Sequence, residues 1–332
     1  PFNLMSLLSQ QRLLSLLDRA RSERVVVVGD LVLDCTVRGG AGRLSGAGPF
    51  PVVEVSSETV SPGAAANVAK GVCALGARGV ACGLLGWDEC GETLSHILCK
   101  QGVEQAVARS ESRRTSHKTR VMARQQYLLQ IDRLSKGPLT EIERARLVEL
   151  FENAANDAKA VILSDYGLGV ADCFLPVVEH CAGRGIFVAL DPNLGRFAPP
   201  GLSLLTPNRS EAFALVGARD PGAGPDPLQD GALLDVAARI RAQCGVEMIL
   251  VTLSQDGMLL LRKGAPPFHA PAEGPEVVDI LGAGDTVIAA FAVAIAAGAT
   301  PEEATLFASR AAGIAVSKLG TAAVTRDEML GR

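Results

Sequence analysis

Aromatic side chains are scarce, at 4% of 332 residues, and acidic residues outnumber basic ones to leave a net charge of −4. A nucleic-acid surface needs a basic stripe and stacking rings, so that class of partner is excluded. No apolar run approaches the roughly 20 residues that cross a bilayer, which excludes a membrane span. The N-terminus (PFNLMSLLSQQRLLSLLDRARSER) has no basic start, and its apolar positions are interrupted, so residues 1–23 read as an amphipathic helix rather than a signal peptide. The eight cysteines, at 35, 73, 82, 90, 99, 173, 181 and 244, form no C-x-x-C pair. Their place in apolar runs argues against zinc and against a disulfide framework, and points to reduced thiols in a cytoplasm. The four histidines have neither metal-ligand spacing nor an obvious nucleophile partner, and read as structural or surface residues. No G-x-G-x-x-G follows the first apolar run, where Gly29-Asp30-Leu31-Val32 stands instead, and this removes the dehydrogenase reading.

What is present is ample apolar material, 48% of the chain, enough for one large domain with an appendage or for two. Short apolar runs at 25–28, 79–85, 160–164, 186–190, 202–206 and 248–252 alternate with helical patterns at about 65–76, 91–102, 140–157, 172–183, 208–216, 231–244, 286–297 and 301–317. Such alternation predicts a parallel sheet with helices on both faces. Two regions break the rhythm. Segments 31–55 and 116–132 carry extended stretches without a helix between them and predict a small antiparallel sheet lying over the main one as a lid. Residues 217–231 form a Pro/Gly/Asp loop.

Chemistry concentrates where Gly282-Ala283-Gly284-Asp285 opens the apolar stretch Thr286–Ala297. Free N–H groups of Ala283, Gly284 and Asp285 at a helix N-terminus attract a phosphoryl group, and glycine lets the anion come close. A carboxylate there repels phosphate unless it is used as the base that takes a proton from an attacking hydroxyl; the alternative is that Asp285 or Thr286 only caps the helix.

In open parallel sheets ligands gather beyond the carboxyl ends of the strands. Asp30 and Asp34 follow the first strand and suit a polyol, or else form a turn. Gly63 to Asn67 open a helix with small residues, and Asn67 offers both a donor and an acceptor. Asp165 and Asp191-Pro192-Asn193 follow later strands and read as turn or ligand contact. Asn208 and Glu211 lie one turn apart, where an amide and a carboxylate can hold the water shell of Mg²⁺ on nucleotide phosphates, or can simply make a capping box. Thr252, Ser254 and Gly257 offer a hydroxyl-bearing turn to phosphates or ribose, or form a hairpin turn.

The order of these motifs resembles the ribokinase-like (PfkB) carbohydrate kinases over about 24–325. The matches are Gly29-Asp30 with Asp34, the Gly63–Asn67 helix start, Asn208-x-x-Glu211 and Asp279-x-x-Gly282-Ala283-Gly284-Asp285. Within that family the text is most similar to the heptose 7-phosphate kinases, through Arg43-Leu44-Ser45 with Pro49 to Val53, Lys118-x-Arg120, Leu163 to Tyr166, Leu205 to Asn208 and Lys318 to Thr321. The resemblance implies a three-layer α/β/α sandwich with a mostly parallel sheet and a β lid, followed by a short tail at 326–332. It also implies ATP-dependent phosphorylation of a sugar hydroxyl. Asp285 is then the base, Gly282, Ala283 and Gly284 the anion hole, and Asp30, Asp34, Gly63, Asn67, Lys118, Arg120 and Asp165 the sugar contacts. Asn208, Glu211, Thr252, Ser254 and Gly257 fall to the nucleotide, Glu211 to Mg²⁺ through water, and Asp279 to a monovalent cation such as K⁺. Dimerisation through the lids and a separate nucleotidyltransferase in the same pathway are further implications. Leu168, Asn193 and Gln130 stand where heptose kinases carry cations, leaving Lys118, Arg120, Arg43 and Arg196 to meet a substrate phosphate, and Ala64 stands where they carry a glycine. Other sugar kinases of the family, for ribose, fructose or keto-deoxy sugar acids, and a non-catalytic sugar sensor are the alternatives.

Overall fold

The computed structural model describes residues 8–124, 126–192, 198–274 and 277–332. Its strands, in chain order, are β1 (Arg24–Gly29), β2 (Leu31–Leu44), β3 (Pro51–Ala64), β4 (Arg78–Gly86), β5 (Glu104–Ser110), β6 (Ser116–Ala123), β7 (Gln126–Arg133), β8 (Ala158–Ser164), β9 (Phe187–Asp191), β10 (Leu204–Leu205), β11 (Met248–Thr252), β12 (Met258–Arg262) and β13 (Phe268–Ala270). Nine form the large sheet in the order β13-β12-β11-β10-β9-β8-β1-β4-β5, and four form the small one in the order β3-β2-β6-β7.

The uninterrupted valines of β1 explain its central place. Side chains alternate across a strand, so Val25 and Val27 enter the core on one face while Val26 and Val28 enter the core on the other, and all four are fully buried. Helices Gln10–Ala20, Ala65–Ala74, Glu89–Lys100, Ala283–Ala296 and Pro301–Val316 cover the first face; Glu141–Ala154, Phe174–Cys181, Arg209–Leu215 and Gly231–Cys244 cover the second. The N-terminal helix is part of this core through Leu13, Leu16, Leu17 and Ala20, and Arg12 pairs with Glu303 at 2.7 Å. The tail segment also packs, with Met329 fully buried. Among the described residues no helix is long and apolar enough to cross a membrane.

Three features differ from expectation. Strand β3 runs on to Ala64 rather than stopping at 55, because Ser56-Ser57-Glu58-Thr59 shows no alternation for a reader to follow: the lid strand is exposed on both faces there. The lid is not purely antiparallel, since two antiparallel hairpins, β2–β3 and β6–β7, join through the parallel pair β2–β6. Strands β5, β12 and β13 were absent from the expected set; β12 and β13 add an antiparallel edge to the otherwise parallel sheet. The cysteines are all free, four of them buried, although Cys99 is exposed.

Candidate active site

Strand β1 lies between β8 and β4, and the chain leaves it directly into the lid, so the lid roots, the end of β8 and the Ala65–Ala74 helix start meet at one edge of the sheet. The Ala283–Ala296 helix points its first turn into the same place. Its apolar body explains its depth: every residue from Val287 to Ala294 is buried. Asp285 is buried with it. One carboxylate oxygen accepts from Asn67 Nδ2 at 2.7 Å and the other from the Tyr166 hydroxyl at 2.8 Å, while no side chain caps the helix. Burial pushes the Asp285 pKa up, and the two hydrogen bonds and the nearby Lys70 charge oppose that shift. Each oxygen keeps a second lone pair for a donor.

The turn before it is built as an anion cradle. Gly282 sits at φ +77°, ψ +11°, a left-handed conformation, with Thr321 and Asn67 closing on its side-chain position. Ala283 spends its N–H on the Ile280 carbonyl at 3.2 Å, a correction to the expected trio of free amides. The N–H groups of Gly284 and Asp285 have no partner among the described residues, and the space where a Gly284 side chain would stand is empty to 4 Å.

On the facing wall, Asp34 is buried, and Arg120 Nη1 lies 3.2 Å from its Oδ1. That approach lacks hydrogen-bond alignment, so Oδ1 remains a buried acceptor without a hydrogen bond, suited to a hydroxyl donor. A side chain at Gly63 would meet Asp34 Oδ2 at 2.6 Å, which is why glycine stands there. Lys118 pairs with Asp34 and Arg120 with Thr36 in the β2–β6 register, so both cations share the face of Asp34. Lys118 Nζ lies 5.5 Å from the centre of the Tyr166 ring.

Other expected site residues have structural employment. Asp30 accepts the backbone N–H of Tyr166 (2.9 Å), Leu168 (3.1 Å) and Val170 (3.2 Å), holding the loop that presents Tyr166. Asp165 accepts the N–H of Gly167 at 2.8 Å, the turn alternative. Leu168 packs in a small apolar cluster with Val32 and Ala64, and Gln130 bonds Asp132 at 2.8 Å. Arg43 pairs with Glu54 on the exposed lid edge at 3.3 Å; Asn193 and Arg196 lie outside the described residues.

At the nucleotide end, Asn208 and Glu211 make a reciprocal capping box, each side chain accepting the other's backbone N–H. A cavity of 490 Å³ lies beside it, with Asn208, Thr252 and Ser254 among its lining residues. Glu211 and Gly257 are not in that lining. Gly257, at φ +82°, serves the tight connection between β11 and β12, where a side chain would strike the Ala270 carbonyl at 2.1 Å. Asp279 accepts from the N–H of Leu281 and Gly320 and from the Tyr127 hydroxyl, contacts that brace the lid against the loop.

Sequence reasoning gave no role to Tyr166 or Lys70, and left Asp191 as either a turn or a ligand contact. Asp191 ends β9 and its pKa is pushed well up, first by burial and then by repulsion from Asp285 and Glu211. The available signals were faint: a lysine in an apolar helix, and one of only two tyrosines in the chain, placed just after a strand.

A carboxylate beside unpaired amides, with cations on the opposite wall, is equipment for moving a phosphoryl group to a hydroxyl. The class defined by fold and site together is the ribokinase-like kinases. A profile of the pfkB family of carbohydrate kinases matches residues 22–328, and the chain belongs to that family, whose members use ATP and a divalent metal. The chain is 40% identical to Bifunctional protein HldE of Chromohalobacter salexigens over 95% of its own length and 64% of that protein. It is 38% identical to Bifunctional protein HldE of Nitrosococcus oceani over 93% of itself and 63% of that protein. It therefore spans just under two thirds of the length of these relatives. Among solved structures, Arabidopsis thaliana ribokinase complexed with ribose and ATP superposes with a TM-score of 0.73 at 24% identity, covering 93% of this chain and 98% of that one, a likeness of fold.

Proposed function

We propose that the chain phosphorylates the anomeric hydroxyl of D-glycero-D-manno-heptose 7-phosphate with ATP, giving the 1,7-bisphosphate for ADP-heptose synthesis in the cytoplasm. The observation that carries this reading is Lys118. Its ammonium has no carboxylate partner among the described residues, yet it is held beside Tyr166, one contact from Asp285. A sugar phosphate carries nearly two negative charges and calls for charge-assisted hydrogen bonds. Lys118 and Arg120 supply them, Asp34 and Asn67 orient the hydroxyls, and Asp285 accepts the proton from the attacking hydroxyl. As the new O–P bond forms and the β–γ bridge breaks, the Gly284 and Asp285 amides face the charge on the transferring group, and ADP leaves.

The residues present fit a metal on the nucleotide. Glu211 keeps one carboxylate oxygen outside its capping box, and among the described residues Asp191 has a single 3.5 Å contact from the Thr206 hydroxyl to offset neighbouring negative charge. These two would hold Mg²⁺ through its water shell, and the metal supplies charge neutralisation at the phosphates. Glu211→Gln preserves a capping residue at N3, so a rise in the Mg²⁺ concentration needed for half-maximal rate reads on the metal alone; an unaltered titration returns Glu211 to the helix cap.

Lys118→Ala is expected to raise KM for heptose 7-phosphate by about ten- to a hundredfold, the worth of one charged hydrogen bond, with KM for ATP little changed. A coupled ADP-release screen over free and phosphorylated sugars tests the acceptor. The competing reading, a free ribose, fructose or keto-deoxy sugar acid, is favoured by the absence of cations at Leu168 and Gln130, and faster turnover of any of these overturns the heptose assignment. The bisphosphate would pass to a nucleotidyltransferase. Exposed Leu128, Leu129 and Ile131 on β7, with Val60 on β3, support a homodimer through the lids, which sedimentation velocity distinguishes from a monomer.

A further inference from the structure

The Ala65–Ala74 helix carries only two polar side chains, Asn67 and Lys70, one turn apart and both buried. Asn67 meets Asp285. Lys70 donates to the Thr321 carbonyl, and among the described residues this is the single acceptor of an ammonium that has three protons to place. Thr321 in turn packs against the Gly282 turn and its hydroxyl meets Ser61 of β3 at 3.3 Å. The charged groups that act on Lys70 are Asp285, from the helix opposite, and Asp34, from β2. A charge removed from water at this depth is costly without a counter-charge, and an apolar side chain of similar length would fill the same space at no such cost.

We propose that Lys70 is a positioning residue for the phosphoryl transfer, its ammonium supplying the counter-charge of the Asp285 carboxylate and clamping the Thr321 carbonyl against the Gly282 turn. This rests on the kinase reading of the site. Burial works against charge on both partners, pushing Lys70 down to about 8 and Asp285 up; each charge offsets part of the other's shift, beside the Asn67 and Tyr166 hydrogen bonds to Asp285 and against repulsion from Asp34 and Asp191. A base that must accept a proton is useful only above its own pKa, and the Lys70 charge extends that range to lower pH.

The test is Lys70→Met, which keeps the length and removes the charge, beside Lys70→Arg, which keeps the charge. The acid limb of the kcat/KM profile should move up by about one pH unit in Lys70→Met, a loss of about tenfold on that limb and little at pH 8, and should stay in place in Lys70→Arg. Thermal unfolding checks that each variant is folded, with Lys70→Gln as a second neutral replacement. Carbon-13 carboxyl resonances read the same titration without turnover, the Asp285 signal being identified by its loss in Asp285→Asn. An Asp285 titration unmoved by a folded neutral variant overturns the proposal. If the protein phosphorylates no sugar, the kinase reading falls, while the carboxyl titration still decides the role of Lys70.

Discussion

Asp285→Asn should lower kcat by about 10²–10⁴-fold, the usual worth of a general base, while the fold and ATP binding persist. The replacement is nearly isosteric. Its amide oxygen can still accept from Asn67, and its amide nitrogen can donate to the Tyr166 oxygen, so the contacts that seat the side chain survive in altered polarity. What disappears is the ability to take a proton. Calorimetric ATP titration and a melting curve establish that the variant is intact, and turnover on the sugar that the wild-type protein uses measures the loss. Near-normal turnover would mean that Asp285 merely seats Asn67 and Tyr166, and that the proton leaves by another route.

Gly284→Val should cost about 10²–10³-fold in kcat, the range seen when an oxyanion-hole donor is lost. The position lies in the first turn of the Ala283–Ala296 helix, and a Cβ built there has no neighbour within 4 Å outside the helix's own backbone, so the first carbon of a larger side chain is accommodated and a melting curve checks the fold of the valine variant. The same open space is where an anion facing the Gly284 and Asp285 amides must lie. Two methyl groups there exclude it. Gly284→Ala, with one methyl, should fall between valine and the wild type. Unchanged kcat in the valine variant, with an unchanged melting temperature, removes the anion-hole assignment.

The parallel strands β1, β4, β8, β9, β10 and β11 of the large sheet were legible because they are buried on both faces and so appear as apolar runs, whereas β5, partly exposed, and the antiparallel edge strands β12 and β13 were not. The lid was legible as an interruption, but its extent was not, since strands exposed on both faces carry no alternation. Motif order located Asp285, Asn67 and Asp34 together, yet a motif orders residues along the chain and says nothing of who faces whom. Asp30 belongs to the matched Gly29-Asp30 motif, but three loop amides take its carboxylate. Tyr166 reaches Asp285 across 119 residues of sequence, and the charge of Lys70 acts on it from another helix, an assembly that no local pattern reveals. Both tyrosines of the chain end on acidic residues around this cleft, Tyr166 on Asp285 and Tyr127 on Asp279, a pairing visible only after folding.

Strand β3 ends at Ala64 and the helix carrying Asn67 and Lys70 begins at Ala65, with no residue between them. Ala64 holds φ +52°, ψ −134°, a region that side chains resist, at a torsional cost of about 1–3 kcal/mol. The junction is therefore a stiff pivot one residue wide. Any swing of the small sheet relative to the large one at this root turns the peptide that starts the helix, and the amide of Asn67 rides three residues beyond it. A change of lid angle taken up at this root would therefore carry through the Ala64 torsions to the residue that seats Asp285.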